Sequence, residues 1–333
     1  MQTSVSEPPA AHPIDLVTHA ERRAQSETYE ELVHRLSVQS VRKHYRAFED
    51  IAWDSPEMQI DPKDPRFELG PDEGLGRTAW YKALPQETRA RIGLSGIVGA
   101  MKLGVVFENV LKRGLLEFAA NLPNRSEEFR YVYHEVIEEA HHSLMFQELI
   151  NRSGLNPANM PAKLQRGTRF VVRLGRVFPE LFFFFVLGGE EPIDFAQKQT
   201  IKSGRTLHPL VKRVMQIHIT EEARHLCFAR NYLQRTVPTA SAYKKFRLRV
   251  AIPVLLGTMA KMMLQPSSAM IARYEIPASV IREAYDANPD HKRKVRASLA
   301  SVAKLAIELD LLRPRDVWLW RRQGLGNPLK YAV

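Results

Sequence analysis

The sequence predicts an all-α fold, a four-helix bundle with additional helices at its N- and C-terminal ends. From about Pro85 onward nearly every segment places apolar residues at helical spacing, and few runs alternate as strands do. Four long segments fall into two pairs with short loops inside each pair, which makes the helices of a pair antiparallel. Between the pairs lies a longer connection, about 153–178, the length a bundle needs for a crossover.

In chain order, residues 1–25 read as a polar, flexible tail. Tyr29–Ala52 carries Leu32, Leu36, Val41, Tyr45 and Phe48 at helical spacing, and Trp53–Gly76, with four prolines and three glycines, reads as a long connection. The first bundle helix covers about 90–121. Pro123 stops it, and Asn124 or Ser126 is placed to cap the next, about 126–152. The second pair spans about 179–203 and 207–235, joined by Ser203-Gly204-Arg205, with Thr206 as the expected cap and Pro209 in the first turn. Residues 241–264 and 290–311 read as helices packed outside the four, and 26–333 as one domain whose core is about 90–235.

Composition narrows the function classes. The chain has 333 residues, 48 Lys plus Arg against 37 Asp plus Glu, a net charge of +11, and 44% apolar residues, which suits a globular protein. Cys227, the one cysteine, cannot form an intrachain disulfide, and Met1–Asp15 has neither a basic nor an apolar leader region, so a cytoplasmic, reducing setting is expected. The longest apolar stretches, Leu181–Gly189 and Val250–Leu264, fall short of the roughly 20 residues that cross a bilayer, so no transmembrane segment is expected. The excess charge sits in Ser241–Val333, with 17 basic and 7 acidic residues.

Two helices share the frame E-E-A-x-H, Glu138–His142 and Glu221–His225, which sets a Glu and a His three apart on one helical face. Glu108 stands 31 residues before Glu139, and Glu191 stands 31 before Glu222. Each hairpin thus presents two carboxylates and an imidazole at one level. Two such hairpins supply the donor set of a ferritin-like di-iron or di-manganese bundle, and hard oxygens with a few imidazoles suit iron or manganese. Glu139 is favoured over Glu138 because the equivalent pairing in the other half would use Arg224, an unusual ligand. Glu138→Ala is accordingly expected to do little. Equal spacing favours Glu191 over Glu190, although a one-residue irregularity in the helix would bring in Glu190. His218, four before Glu222 and matched by Glu135 in the first half, is either a third imidazole ligand or a core histidine bonded to a ligand carboxylate.

The order Glu108, Glu139-x-x-His142, Glu191, His218-x3-Glu222-x2-His225 resembles the p-aminobenzoate N-oxygenase (AurF-like) family of ferritin-like di-iron oxygenases, over roughly residues 45–310. The Phe48–Asp54 segment is similar to that family's N-terminal region. The resemblance implies seven ligands to two Fe ions, with Mn as an alternative: Glu108, Glu139, His142, Glu191, His218, Glu222 and His225. It implies O2 as co-substrate, a small aromatic amine taken through hydroxylamine and nitroso stages toward the nitro compound, and a homodimer. No catalytic residue is expected beyond the metal centre. No dinucleotide fingerprint or cysteine cluster is present, so an external electron donor, a ferredoxin or reductase, is expected. Family substrates carry a carboxylate, for which Arg296 in His291–Arg296 is the candidate anchor.

Two other readings compete. A radical-generating or hydroxylating protein like the ribonucleotide reductase small subunit would need a redox-active tyrosine, for which Tyr131 and Tyr133 are candidates, but the added His218 does not suit it. A basic helical binding module would use Tyr243–Arg249, His291–Arg296 and Arg313–Arg322, yet no nucleic-acid-binding signature accompanies them and no nucleic-acid partner is expected. Phe182–Phe185 reads as core or as a pocket wall. Trp318 and Trp320 read as packing a C-terminal strap.

Overall fold

Helices form the regular structure of the computed structural model, which describes residues 27–331, and no strand occurs among the described residues. The tail expected over 1–25 lies outside them. Four helices make the bundle: α2 (Gln86–Ala119), α3 (Glu127–Arg152), α5 (Pro179–Lys202) and α6 (Pro209–Thr236), preceded by α1 (Tyr29–Arg42). Between the hairpins runs α4 (Ala162–Val177), and after them come α7 (Ala242–Met263), α8 (Pro289–Ser298), α9 (Ala300–Glu308) and α10 (Val317–Arg322). The bundle is the all-α, ferritin-like arrangement the sequence predicts.

Local chemistry sets the helix ends. A capping box starts α1: the Thr28 hydroxyl accepts from the Glu31 N–H at 3.2 Å, and the Glu31 carboxylate accepts from the Thr28 N–H at 2.9 Å. Pro209 opens α6 as expected, but His208, not Thr206, occupies the cap position and makes no side-chain capping bond. Ser126 caps α3 by position alone, since its hydroxyl turns to the Glu128 carboxylate. The predicted crossover of 153–178 contains α4, and the helix expected over 290–311 breaks at Leu299 into α8 and α9.

The helix expected from Tyr29 toward Ala52 ends at Arg42, so Leu36 is buried while Val41 and Phe48 are exposed. Behind it, α1 lies across α3 and α6, while α4 packs on α2 and α5, and α7 on α5. Phe182, Phe183 and Phe184 are fully buried between these layers, with Phe183 edge-on to Phe118 and Phe228. Trp320 is buried and Trp318 exposed, so only the former anchors the C-terminal strap.

Two helical spans, Gln86–Ala119 and Ala242–Arg273, are long and apolar enough to cross a membrane by length and composition, which the apolar stretches alone did not suggest. Within the fold α2 is packed by α3, α4 and α5 and carries the buried Glu108. The second span is interrupted, α7 ending at Met263 ahead of a separate short helix at Ser268–Arg273.

The approach of α4 to α2 is set by glycine. A Cβ on Gly175 would stand 2.0 Å from the Gly114 carbonyl oxygen, backbone against backbone, with no flexible side chain to yield. Gly175→Ala is therefore expected to lose about 1–3 kcal/mol of stability, as overpacking does. Urea unfolding checks this, and an unchanged midpoint would contradict it.

Candidate metal centre

Each bundle helix delivers acidic or imidazole side chains to the same interior level. Glu108 comes from α2, Glu135, Glu139 and His142 from α3, Glu190 from α5, and His218, Glu222 and His225 from α6, all no more than 1% exposed. Ligand-type atoms gather within 4.8 Å of one another in four overlapping groups: Glu108, His142 and His218; Glu139, His142 and Glu222; Glu190, His218 and Glu222; Glu135, Glu139 and His225. Glu139, His142, His218 and Glu222 each belong to two of these groups. Glu222 lies 3.5 Å from His142 Nδ1, 3.2 Å from His225 Nδ1 and 3.7 Å from His218 Nε2, while Glu139 lies 3.4 Å from His142 Nδ1 and 3.0 Å from His225 Nδ1.

Six of the seven expected ligands come together, and the seventh position is filled by Glu190 instead of Glu191. Glu190 lies 3.8 Å from His218 Nε2, whereas Glu191 turns outward into an ion pair with Arg230 of α6. Equal spacing in sequence misled because the inter-helix loops differ by a residue. Glu139 stands twelve residues past the first residue of α3 and Glu108 eleven before the last of α2, an offset of one. Glu222 stands thirteen past the first residue of α6, so the same offset falls on Glu190, twelve before the end of α5.

Residues that sequence reasoning set aside hold the histidines in place. Glu221 accepts from His142 Nε2 at 2.8 Å, and Glu138 accepts from His225 Nε2 at 2.8 Å, so the first glutamate of each frame orients the other hairpin's imidazole and leaves Nδ1 facing the cluster. Arg224 donates to Glu138 at 2.8 Å and to Ser40 of α1 at 3.2 Å, and the Tyr45 N–H donates to Glu221 at 2.9 Å. Glu138 is thus a buried carboxylate bonded to both His225 and Arg224, a placement that argues against its removal doing little. The E-E pair in each frame was the available signal. His218 bonds the Gln197 amide oxygen through Nδ1 at 3.1 Å, not a ligand carboxylate, and its Nε2 faces Glu108, Glu190 and Glu222 at 3.9, 3.8 and 3.7 Å.

The cluster's electrostatics are those of a site built around positive charge. Burial and the neighbouring Glu139 raise Glu108 well above the usual carboxylate range, and burial with Glu222 does the same to Glu190. Burial opposes the charge of His142 and His225, yet the carboxylates around them hold both well above the ordinary imidazole value. Burial would raise Glu139 too, but His142 and His225 hold it well below. Orphaned buried atoms remain: Glu108 Oε1, both oxygens of Glu139, His142 Nδ1, Glu190 Oε2 and Glu222 Oε2 have no hydrogen-bond partner. Such atoms are rare in a folded interior unless something binds them, so this donor set fits two hard divalent or trivalent cations. On α2, one turn after Glu108, Lys112 donates to the Glu139 carbonyl at 3.0 Å and to Ser143, whose hydroxyl donates to Glu108 at 2.9 Å.

A stability signature follows for the metal-free chain. Burial raises Glu135 to about 8, while Glu108, Glu190 and Glu222 are also raised and His142 and His225 hold their protons past the ordinary imidazole range. The folded state therefore keeps protons that the unfolded chain gives up above about pH 4.3 for glutamate and 6.5 for histidine. His134, His141, His208, His218 and His291, all lowered by burial, oppose this below about pH 6.5. The melting temperature of chelator-treated protein should therefore fall from about pH 7 to pH 8, where the unfolded histidines are already neutral. A steady rise over that window would contradict these proton positions.

Residues 26–310 match the family described as P-aminobenzoate N-oxygenase AurF. The chain belongs to the AurF family. Uncharacterized proteins of Mycobacterium tuberculosis and Mycobacterium bovis are 35% identical to it over 309 residues, covering 92% of this chain and 91% of theirs. No solved structure matches it.

Other singled-out positions take their places in this AurF-family chain. Arg296 is half-buried against Gly326 of the C-terminal strap, and its Nε has no hydrogen-bond partner. Phe107, beside Glu108, packs on Phe185 at 4.8 Å between ring centres, and Phe146 packs on His218 at 5.3 Å, so aromatic rings border the cluster. Tyr133 is exposed, whereas Tyr131 is fully buried with an unpartnered hydroxyl. Cys227 is partly buried, its thiol pushed up by burial, with Asn231 as its near polar neighbour.

Proposed function

We propose that this chain is a non-haem di-iron oxygenase that uses O2 to oxidise the nitrogen of a small aromatic amine toward the nitro compound. The observation that carries this reading is the buried set of carboxylates and imidazoles with orphaned donor atoms, in a chain of the AurF family. Two Fe ions, or Mn in their place, would be held by Glu108, Glu139, His142, Glu190, His218, Glu222 and His225. When bound, they supply the redox chemistry of O2 that no side chain here can supply.

The chain's own part is positioning and exclusion. Glu138 and Glu221 keep a proton on Nε2 of His225 and His142 and so present Nδ1 as the ligating nitrogen. Phe107, Phe185 and Phe146 keep water from the cluster, whose members are essentially unexposed. Arg296, with an unpartnered guanidinium nitrogen, is suited to a substrate carboxylate. Electrons come from a separate donor, for which the exposed Arg247 and its basic neighbours on α7 offer a docking charge. A homodimer in a reducing cytoplasm completes this reading.

The test is product analysis. Chain loaded anaerobically with Fe(II) is mixed with O2, a reductant and p-aminobenzoate, and products are read by mass spectrometry. Hydroxylamino, nitroso or nitro products support the reading. Two bound irons with no N-oxidised product from any arylamine tried would overturn the substrate class.

A further inference from the structure

Two helices outside the four-helix core combine an apolar outer side with positive charge alone. No Asp or Glu occurs between Glu222 and Glu275, or between Glu148 and Glu180, so neither α7 nor α4 carries an acidic residue. One side of α7 is buried on α5 through Leu248, Ile252 and Leu256. The opposite side of a surface helix is ordinarily polar. On α7 it presents Tyr243, Phe246, Val250 and Val254, three and four residues apart and 70%, 57%, 45% and 42% exposed. A helix that is apolar on both sides calls for an apolar layer on both, and among the described residues none covers the outer one.

The face extends beyond α7. Arg247 lies 4.9 Å from the ring centre of Phe178, the residue that ends α4, so the two helices adjoin there. On α4, Phe170 and Val177 are 62% and 58% exposed, with Arg169, Arg173 and Arg176 exposed beside them. Charge selects the occupant. A face that carries only cations repels a second copy of itself and attracts an anionic surface. A charged soluble partner would answer the cations alone, whereas aromatic and aliphatic side chains standing among Lys and Arg suit the boundary between lipid headgroups and acyl chains.

We propose that the α4–α7 face seats this chain on an anionic lipid bilayer, with Tyr243, Phe246 and Val250 at the acyl boundary and the flanking Lys and Arg among the headgroup phosphates. In this arrangement α7 lies on the membrane and does not cross it, because its inner side belongs to the protein core. An electron donor drawn to Arg247 competes with lipid for the same face. The inference is independent of the metal centre and of its reaction.

The test is co-sedimentation of the full chain with vesicles, either phosphatidylcholine alone or equal parts of phosphatidylcholine and phosphatidylglycerol. Wild type is expected to sediment with the anionic vesicles only, and less so as salt is added. Phe246→Ser/Val250→Ser is expected to bind them at least about tenfold more weakly, since it removes apolar surface that enters the lipid. Arg173→Glu/Arg176→Glu on α4 should weaken binding as well. Circular dichroism confirms that each variant is folded, and if the double serine variant is not, Tyr243→Ser takes its place with the same expected loss. A wild-type chain that stays in the supernatant, or that binds phosphatidylcholine alone equally well, would overturn the proposal. Unchanged binding in a folded Phe246→Ser/Val250→Ser would mean that charge acts alone, as docking of an acidic protein requires, and would overturn it too. Light scattering without lipid covers the remaining occupant: a mass that halves in that variant would assign the face to a second copy of the chain and not to lipid.

Discussion

Replacing Glu222 by alanine is expected to take the chain from two bound ions to fewer than one. Glu222 approaches all three imidazoles, His142, His218 and His225, so its carboxylate is shared between the two ends of the cluster. Its loss removes a donor from both ions at once and leaves His142 and His225 with one fewer counter-charge. Removing one partner of a buried charged set costs about 3–5 kcal/mol. The metal-free variant should therefore also melt lower than wild type. Glu139→Ala is expected to behave alike, since Glu139 touches His142 and His225. Elemental analysis after gel filtration checks the first effect and calorimetry the second. Two retained ions in Glu222→Ala would remove it from the ligand set.

The second large effect belongs to a residue that does not face the ions. Glu138→Ala is expected to weaken metal binding by about 10–100-fold, the range seen when the partner of a ligating histidine is lost. The same substitution strips the buried Arg224 of its closest carboxylate, so a stability loss of about 3–5 kcal/mol is expected as well. Glu221→Ala should do the corresponding damage at His142. Metal titration of both variants, with urea unfolding alongside, is the check. Wild-type affinity in Glu138→Ala would mean that Arg224 and His225 hold their positions without it.

The bundle was legible because its signals are local. Period, proline stops and short loops place α2, α3, α5 and α6 to within a few residues, and the E-x-x-H register picks out Glu139, His142, Glu222 and His225. What stayed hidden depends on geometry between helices. Glu190 and Glu191 are adjacent in sequence, and only the loop length from Ser203 to His208 decides which one reaches His218. Glu138 was passed over in favour of Glu139, and Glu221 was given no role, because a helical wheel shows one helix at a time. Their partners, His225 and His142, belong to the other hairpin. Glu135 is the same lesson in reverse, since its match to His218 is visible in sequence but its lack of any hydrogen-bond partner is visible only in the fold.

The most direct test of the di-metal centre is iron stoichiometry. The full chain, stripped with chelator, is titrated anaerobically with Fe(II), passed through gel filtration and analysed for iron and protein. About two irons retained per chain, lost together in Glu222→Ala, is the predicted result. A wild-type chain that elutes with no retained iron, though folded, would contradict the metal centre itself.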